Sequence, residues 1–100
     1  MPKAEFWIAR PTHYWMLDSK FDGSFNFGKI YEDAGLDGLL FFDTQNLAPE
    51  VYTSLTAIAL QTNRIKLGTG VTNPKTRHAA VTASTIATLD QLSGGRTYLG

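Results

Sequence analysis

The sequence predicts an α/β domain built on a parallel sheet, and three observations predict it. Short apolar runs alternate with longer amphipathic stretches, turn residues sit at the joins, and the runs begin near positions 4, 38, 65 and 96. That interval of about 30 residues is the length of one βα unit. No residue-level repeat, low-complexity segment or linker accompanies it. Right-handed crossovers on a parallel sheet give two architectures, the doubly wound sheet and the eightfold barrel, and composition does not choose between them.

Each element has a local reason. The first strand spans about Ala4 to Ala9, carries Phe6, Trp7 and Ile8, and stops at Pro11, which has no N–H for a ladder. From Thr12 to Gly23 no period holds, and the segment is longer than an ordinary βα loop; long loops at that position tend to be functional. Phe27, Ile30, Tyr31 and Ala34 recur as one face of the first helix, with Asp22 or Ser24 as N-cap and Gly35 just past its end. Leu39 to Phe42 runs without polar alternation, as a strand covered on both faces does, and ends at Asp43.

Pro49 stands in the first turn of the second helix, whose stripe is Val51, Leu55, Ile58 and Thr62 and whose end has Asn63 as a left-handed cap. Ile65, Leu67 and Thr69 alternate with Lys66, Gly68 and Gly70 in the third strand, which loses side-chain volume at its C-terminal end. The third helix spans about His78 to Leu92, is rich in Ala, Thr and Ser with Val81, Ile86, Leu89 and Leu92, and is stopped by Ser93-Gly94-Gly95. Arg96 to Leu99 reads as a fourth strand.

Composition excludes several function classes. The 100 residues are 43% hydrophobic and 18% charged, as in one globular domain, and nine basic residues balance nine acidic ones. A net charge of zero lacks the footprint of a nucleic-acid binder, and it disfavours an anionic membrane surface. With no cysteine there is no disulfide, thiolate metal site or cysteine nucleophile. The start has no signal-peptide core, and no run approaches the roughly 18 apolar residues of a membrane span, so a cytoplasmic protein is expected.

In either architecture ligands bind beyond the C-terminal strand ends, which selects Arg10 to Tyr14, Asp43 to Asn46 and Gly70 to His78. Gly68-Thr69-Gly70 lacks the third glycine of a dinucleotide fingerprint, since Asn73 stands there. Its glycines let the strand bend or a neighbouring backbone approach, or they leave a flat surface for a planar ligand; both readings stand. Asp43 closes an apolar strand, where an unpaired carboxylate is expensive. It is either a proton-handling group or a loop carboxylate accepting backbone N–H bonds. His13 and His78 share no metal-ligand spacing, and no metal site is expected. Lys75, Arg77 and His78 gather before the third helix, as an anion site or as a solvated loop.

The stretch Arg64-Ile-Lys-Leu-Gly-Thr-Gly-Val-Thr-Asn-Pro74, followed by Thr76-Arg-His78, Val81-Thr-Ala-Ser84 and Ile86-Ala-Thr-Leu-Asp-Gln-Leu-Ser-Gly-Gly-Arg96, resembles the luciferase-like monooxygenase superfamily. Within it, the branch of coenzyme F420-dependent reductases typified by methylenetetrahydromethanopterin reductase is most similar. The match is specific over residues 64–100 and collinear over 1–63, where Asp33-Ala-Gly-Leu-Asp-Gly38 fits the lead-in to the second strand.

The resemblance implies a (β/α)₈ barrel, of which residues 1–100 are expected to be the N-terminal portion, three βα units and a fourth strand of a single domain. It implies FMN or F420 at the C-terminal mouth, the ring against a bulge after the third strand that commonly holds a non-proline cis peptide. Carried over, Gly70 and Val71 form that bulge, Val71 backs the ring, and Thr72 and Asn73 lie beside it. Asp43 matches the aspartate of an Asp-His pair near the reactive edge and is the catalytic candidate. Thr44 stands where that histidine would be, so Gln45 or Asn46 is left to hydrogen-bond the cofactor, and Ala79 replaces a proline usual after His78. The implied activity is hydride transfer between a reduced flavin or deazaflavin and a small organic substrate. The alternatives are an FMN-dependent monooxygenase and a flavin-binding protein without turnover. A homodimer through the second and third helices is also implied.

Overall fold

The computed structural model describes residues 3–12, 26–45 and 47–100. Its elements follow in the expected order: β1 (Trp7–Arg10), α1 (Phe27–Asp33), β2 (Gly38–Phe41), α2 (Val51–Gln61), β3 (Lys66–Thr69), α3 (Ala79–Ser93) and β4 (Thr97–Tyr98). The four strands among the described residues are parallel and neighbour one another in the order β1-β2-β3-β4. Each strand adds beside the last with no reversal, as in a barrel wall; a doubly wound sheet would reverse at a switch point.

The two faces of the sheet differ in kind. Leu39, Phe41 and Leu67 are fully buried, and pack with Val51, Leu55, Ile58 and Ala59 of α2 and Leu89 of α3. The opposite face carries Trp7, Gly38, Lys66, Gly68 and Tyr98. There the Trp7 and Tyr98 rings, from the first and last strands, meet edge to face with centroids 4.9 Å apart. Glycines make this possible: a Cβ at Gly38 would collide with the Trp7 ring, and one at Gly68 with the Tyr98 carbonyl oxygen.

Several boundaries depart from expectation. β1 begins at Trp7, because Phe6 N–H is taken by the Asp37 carboxylate at 2.9 Å before the ladder starts. The N-cap of α1 is Asn26, without a side-chain cap bond. Asp22 and Ser24, together with His13 and most of the loop 12–23, lie outside the described residues. Ile30 is 54% exposed and Ala34 is exposed, so only part of the expected apolar face of α1 is turned to the core. Of that face Tyr31 does pack against the core, and α1 docks beside it through Gly28, where any Cβ would collide with Ile58.

β2 ends at Phe41, and Phe42 is partly exposed. Pro49 precedes α2 rather than opening it; Glu50 is the N-cap, accepting from Thr53 N–H at 2.7 Å. The stripe Val51, Leu55, Ile58 and Thr62 is buried throughout, whereas Val81 and Leu92 of α3 stay exposed. α3 closes on Gly94 at φ 72°, a left-handed turn that favours glycine.

The turn from α2 into β3 is held from two sides by charged side chains. Glu32 at the end of α1 accepts from the backbone N–H groups of Asn63, Arg64 and Ile65, at 3.0, 2.7 and 2.9 Å. Burial pulls its pKa upward, but those three donors outweigh it and hold the carboxyl below its ordinary value. Arg96, just past α3, donates to the carbonyls of Ala59, Thr62 and Ile65 at 2.8–3.0 Å, to the Thr62 hydroxyl at 2.9 Å and to the Ser93 carbonyl at 2.6 Å. One guanidinium thus satisfies the C-terminal carbonyls of α2 and ties both helices to β3. Arg96→Met strips the donors from these carbonyls and is expected to cost about 3 kcal/mol in urea unfolding. Arg96→Lys recovers only part, since one ammonium does not span the set; a loss under about 1 kcal/mol in Arg96→Met contradicts this role.

Candidate active site at the C-terminal strand ends

Where β2 and β3 end, the ladder opens into a bulge. Gly70 N–H still bonds the Phe41 carbonyl at 2.8 Å, and Thr72 N–H bonds the Gly100 carbonyl at 2.7 Å. Val71 sits between these anchored neighbours and is 69% exposed. A Cβ at Gly70 would lie 3.1 Å from Leu40 Cβ, tighter than ordinary packing allows. All peptide bonds among the described residues are trans, so the bulge forms without the expected cis peptide.

Beside the bulge lies Asp43, its side chain only 1% exposed. Five donors converge on it. Arg77 Nη1 and Nη2 reach its two oxygens at 2.7 and 3.3 Å, Asn73 N–H and the Thr72 hydroxyl each lie 2.9 Å away, and Gln45 Nε2 lies at 2.6 Å. Burial pushes the carboxyl up, and these donors, Arg77 foremost, overcome that and bring its pKa to about 2. Asp43 is therefore an ionised acceptor at neutral pH.

Arg77 extends the network. Its Nη2 reaches Glu50 at 2.5 Å, and its guanidinium lies 4.6 Å from the centre of the Tyr52 ring. The Tyr52 and Thr72 hydroxyls are 2.7 Å apart. A depression of about 250 Å³ opens against this cluster, lined by Asp43, Thr44, Gln45, Pro49 and Glu50.

The structure thus brings Asp43, Gln45, Thr72 and Asn73 together, and Gly70 and Val71 lead directly into this cluster along the chain. Asn46 lies outside the described residues. The trio before α3 does not form an anion site: Arg77 turns inward to two carboxylates, and His78 Nδ1 accepts from Ala80 N–H at 3.1 Å as the N-cap. Sequence reasoning missed Arg77, Glu50 and Tyr52 as parts of this cluster. The available signal was two carboxylates, Asp43 and Glu50, each at a strand or helix end and each needing a cation.

The fold and site define a barrel-wall segment of a family that is confirmed by comparison: the chain belongs to the luciferase-like monooxygenase family, whose model matches residues 11–100. Among curated proteins it is 51% identical over 75 residues to 5,10-methylenetetrahydromethanopterin reductase of Methanolobus tindarius. It is 47% identical over 72 residues to the enzyme of that name from Methanopyrus kandleri. These matches cover 75% and 72% of this chain but 23% and 20% of the relatives, so the chain spans about a fifth to a quarter of their length.

Among solved structures, the coenzyme F420-dependent tetrahydromethanopterin reductase of Methanopyrus kandleri superposes with a TM-score of 0.79 at 37% identity. That match covers 99% of this chain and 27% of that one. A type II Baeyer-Villiger monooxygenase of Pseudomonas putida in complex with FMN shares the fold at 23% identity and a TM-score of 0.78, over 97% of this chain and 29% of its own.

The Asp43 ionisation carries a pH dependence with a fixed sign. Its folded pKa lies below the ordinary 3.8, so the unfolded chain binds the proton more tightly. The stabilisation, about 2 kcal/mol, is complete above about pH 4 and is lost as pH falls toward 2. In unfolding measured across this range, Asp43→Asn is expected to remove that component of the slope; an unchanged slope contradicts the assignment.

Proposed function

We propose that the full-length protein is an F420-dependent oxidoreductase that binds its cofactor at the C-terminal mouth built here. The observation that carries the proposal is the bulge itself. An exposed apolar Val71, held between two anchored neighbours and next to a side-chain-free Gly70, offers a flat apolar seat for a planar ring. The solved reductase at 37% identity, described as coenzyme F420-dependent, supports F420 over FMN, and the names of the relatives at 47–51% identity make 5,10-methylenetetrahydromethanopterin the first substrate to assay.

Bound F420 would supply the ring that carries the hydride. The chain's own part is positional. Val71 backs the ring, Gly70 keeps side-chain atoms from its path, and Thr72, Asn73 and Gln45 border it. Asp43 serves as a fixed negative acceptor near the ring, because a carboxyl already ionised at neutral pH holds no proton to give. Association of two copies through α2 and α3 belongs to the same proposal, supported by exposed Leu60 on α2 and Val81 on α3.

Fluorescence titration of the full-length protein tests the proposal. F420 is expected to bind and FMN not to, and Val71→Asp is expected to weaken F420 binding by about tenfold or more, since a charge would face an apolar ring. The same sample is expected to sediment as a dimer. Binding of FMN alone would point to the oxygenase alternative, and cofactor binding without turnover of any methylene-pterin substrate to a non-catalytic flavin-binding protein.

A further inference from the structure

The five contacts on Asp43 are not equivalent. Gln45 belongs to the same loop, and Thr72 and Asn73 belong to the bulge that Asp43 holds in place. Arg77 alone comes from outside both segments, from the approach to α3, and its side chain is 14% exposed. It touches Asp43 after β2, Glu50 at the N-cap of α2 and the Tyr52 ring in the first turn of α2, whose hydroxyl in turn meets Thr72 of the bulge. A planar guanidinium with five donors can join two carboxylates and stack on a ring at once; an ammonium cannot.

We propose that Arg77 is the positioning residue of this site, the one group that fixes the Asp43 carboxylate and the 70–73 bulge relative to the start of α2. The inference rests on the proposed cofactor seat and adds to it the residue that sets its shape. Through its two terminal nitrogens Arg77 bonds the carboxylates of Asp43 and Glu50. It acts through them.

Removal of Arg77 leaves Asp43 buried with its hydroxyl, amide and backbone donors but no cation, which raises its pKa. The groups that face Asp43 are then Gln45 from its own loop, Thr72 and Asn73 from the bulge, and, one contact further, Glu50 and Tyr52 of α2. None supplies a replacement positive charge. The affinity of the seat for its cofactor consequently becomes dependent on an ionisation that the wild-type site does not show above about pH 4.

The test uses full-length protein and four forms: wild type, Arg77→Met, Arg77→Lys and the double variant Arg77→Met with Asp43→Asn. F420 affinity is measured by fluorescence from pH 4.5 to 8 (roughly the range over which a displaced carboxyl titrates). Wild type is expected to be flat, Arg77→Met about tenfold weaker and increasingly so toward acid, and Arg77→Lys only partly restored. The double variant is expected to be weak but flat again, since nothing at position 43 titrates. A purely structural role for Arg77 lowers stability without creating a slope that Asp43→Asn abolishes, so a flat profile in Arg77→Met overturns the inference. The Asp43 carboxyl is also titrated by ¹³C NMR in cofactor-free wild type and Arg77→Met. A raised midpoint in the variant supports the inference and an unmoved one overturns it, even where absent F420 binding in wild type has already refuted the functional proposal.

Discussion

A buried carboxylate must be compensated, and the C-terminal edge of this sheet is arranged by how Asp43 is compensated. Its side chain is nearly inaccessible, and a charge so placed is tolerated only when donors surround it. Those donors come from the loop after β2 and, 30 and 34 residues further on, from the bulge after β3 and the approach to α3. Meeting the demand of one side chain therefore fixes where all three lie. The bulge is held open as a consequence, with Val71 turned outward because Thr72 and Asn73 on its far side are tied down.

The opposite edge obeys the same rule with different chemistry. Glu32 gathers three backbone N–H groups after α2, and Arg96 gathers the carbonyls at the end of α2, so the α2–β3 turn is gripped by one negative and one positive side chain. Neither reaches the mouth. Barrels divide labour this way, with stability at the N-terminal face of the strands and ligands at the C-terminal face. The aromatic pair Trp7 and Tyr98, closing over Gly38 and Gly68, fills the sheet face between the two edges.

Much of the fold was legible because it depends on period. The stripe Val51, Leu55, Ile58 and Thr62 is legible, since the first three lie on the buried side of α2 and Thr62 is its buried C-cap. In α1 the pattern holds only at Tyr31: Ile30 is apolar and in phase but faces out, because a short helix can dock through a glycine, and Gly28 leaves no mark in a hydrophobic pattern. At the site, Asp43 was legible as a carboxylate at the end of an apolar strand, and Gly70 as a loss of side-chain volume. Arg77 was not. It lies 34 residues from Asp43 and 27 from Glu50, and among three neighbouring basic residues no local rule tells the one that turns inward from those that do not. Arg96 is likewise legible only as the first residue of a strand, because the carbonyls it serves at the end of α2 lie more than 30 residues earlier in the chain.

The coupling between Asp43 and Arg77 is the central claim, and a double-mutant cycle on the unfolding of the full-length protein measures it most directly. Asp43→Asn, Arg77→Met and the double variant are compared with wild type at neutral pH. A buried pair that organises its surroundings predicts a coupling energy of about 2 kcal/mol, with the double variant little less stable than the worse single one. Additive effects, with coupling under about 0.5 kcal/mol, would contradict the account.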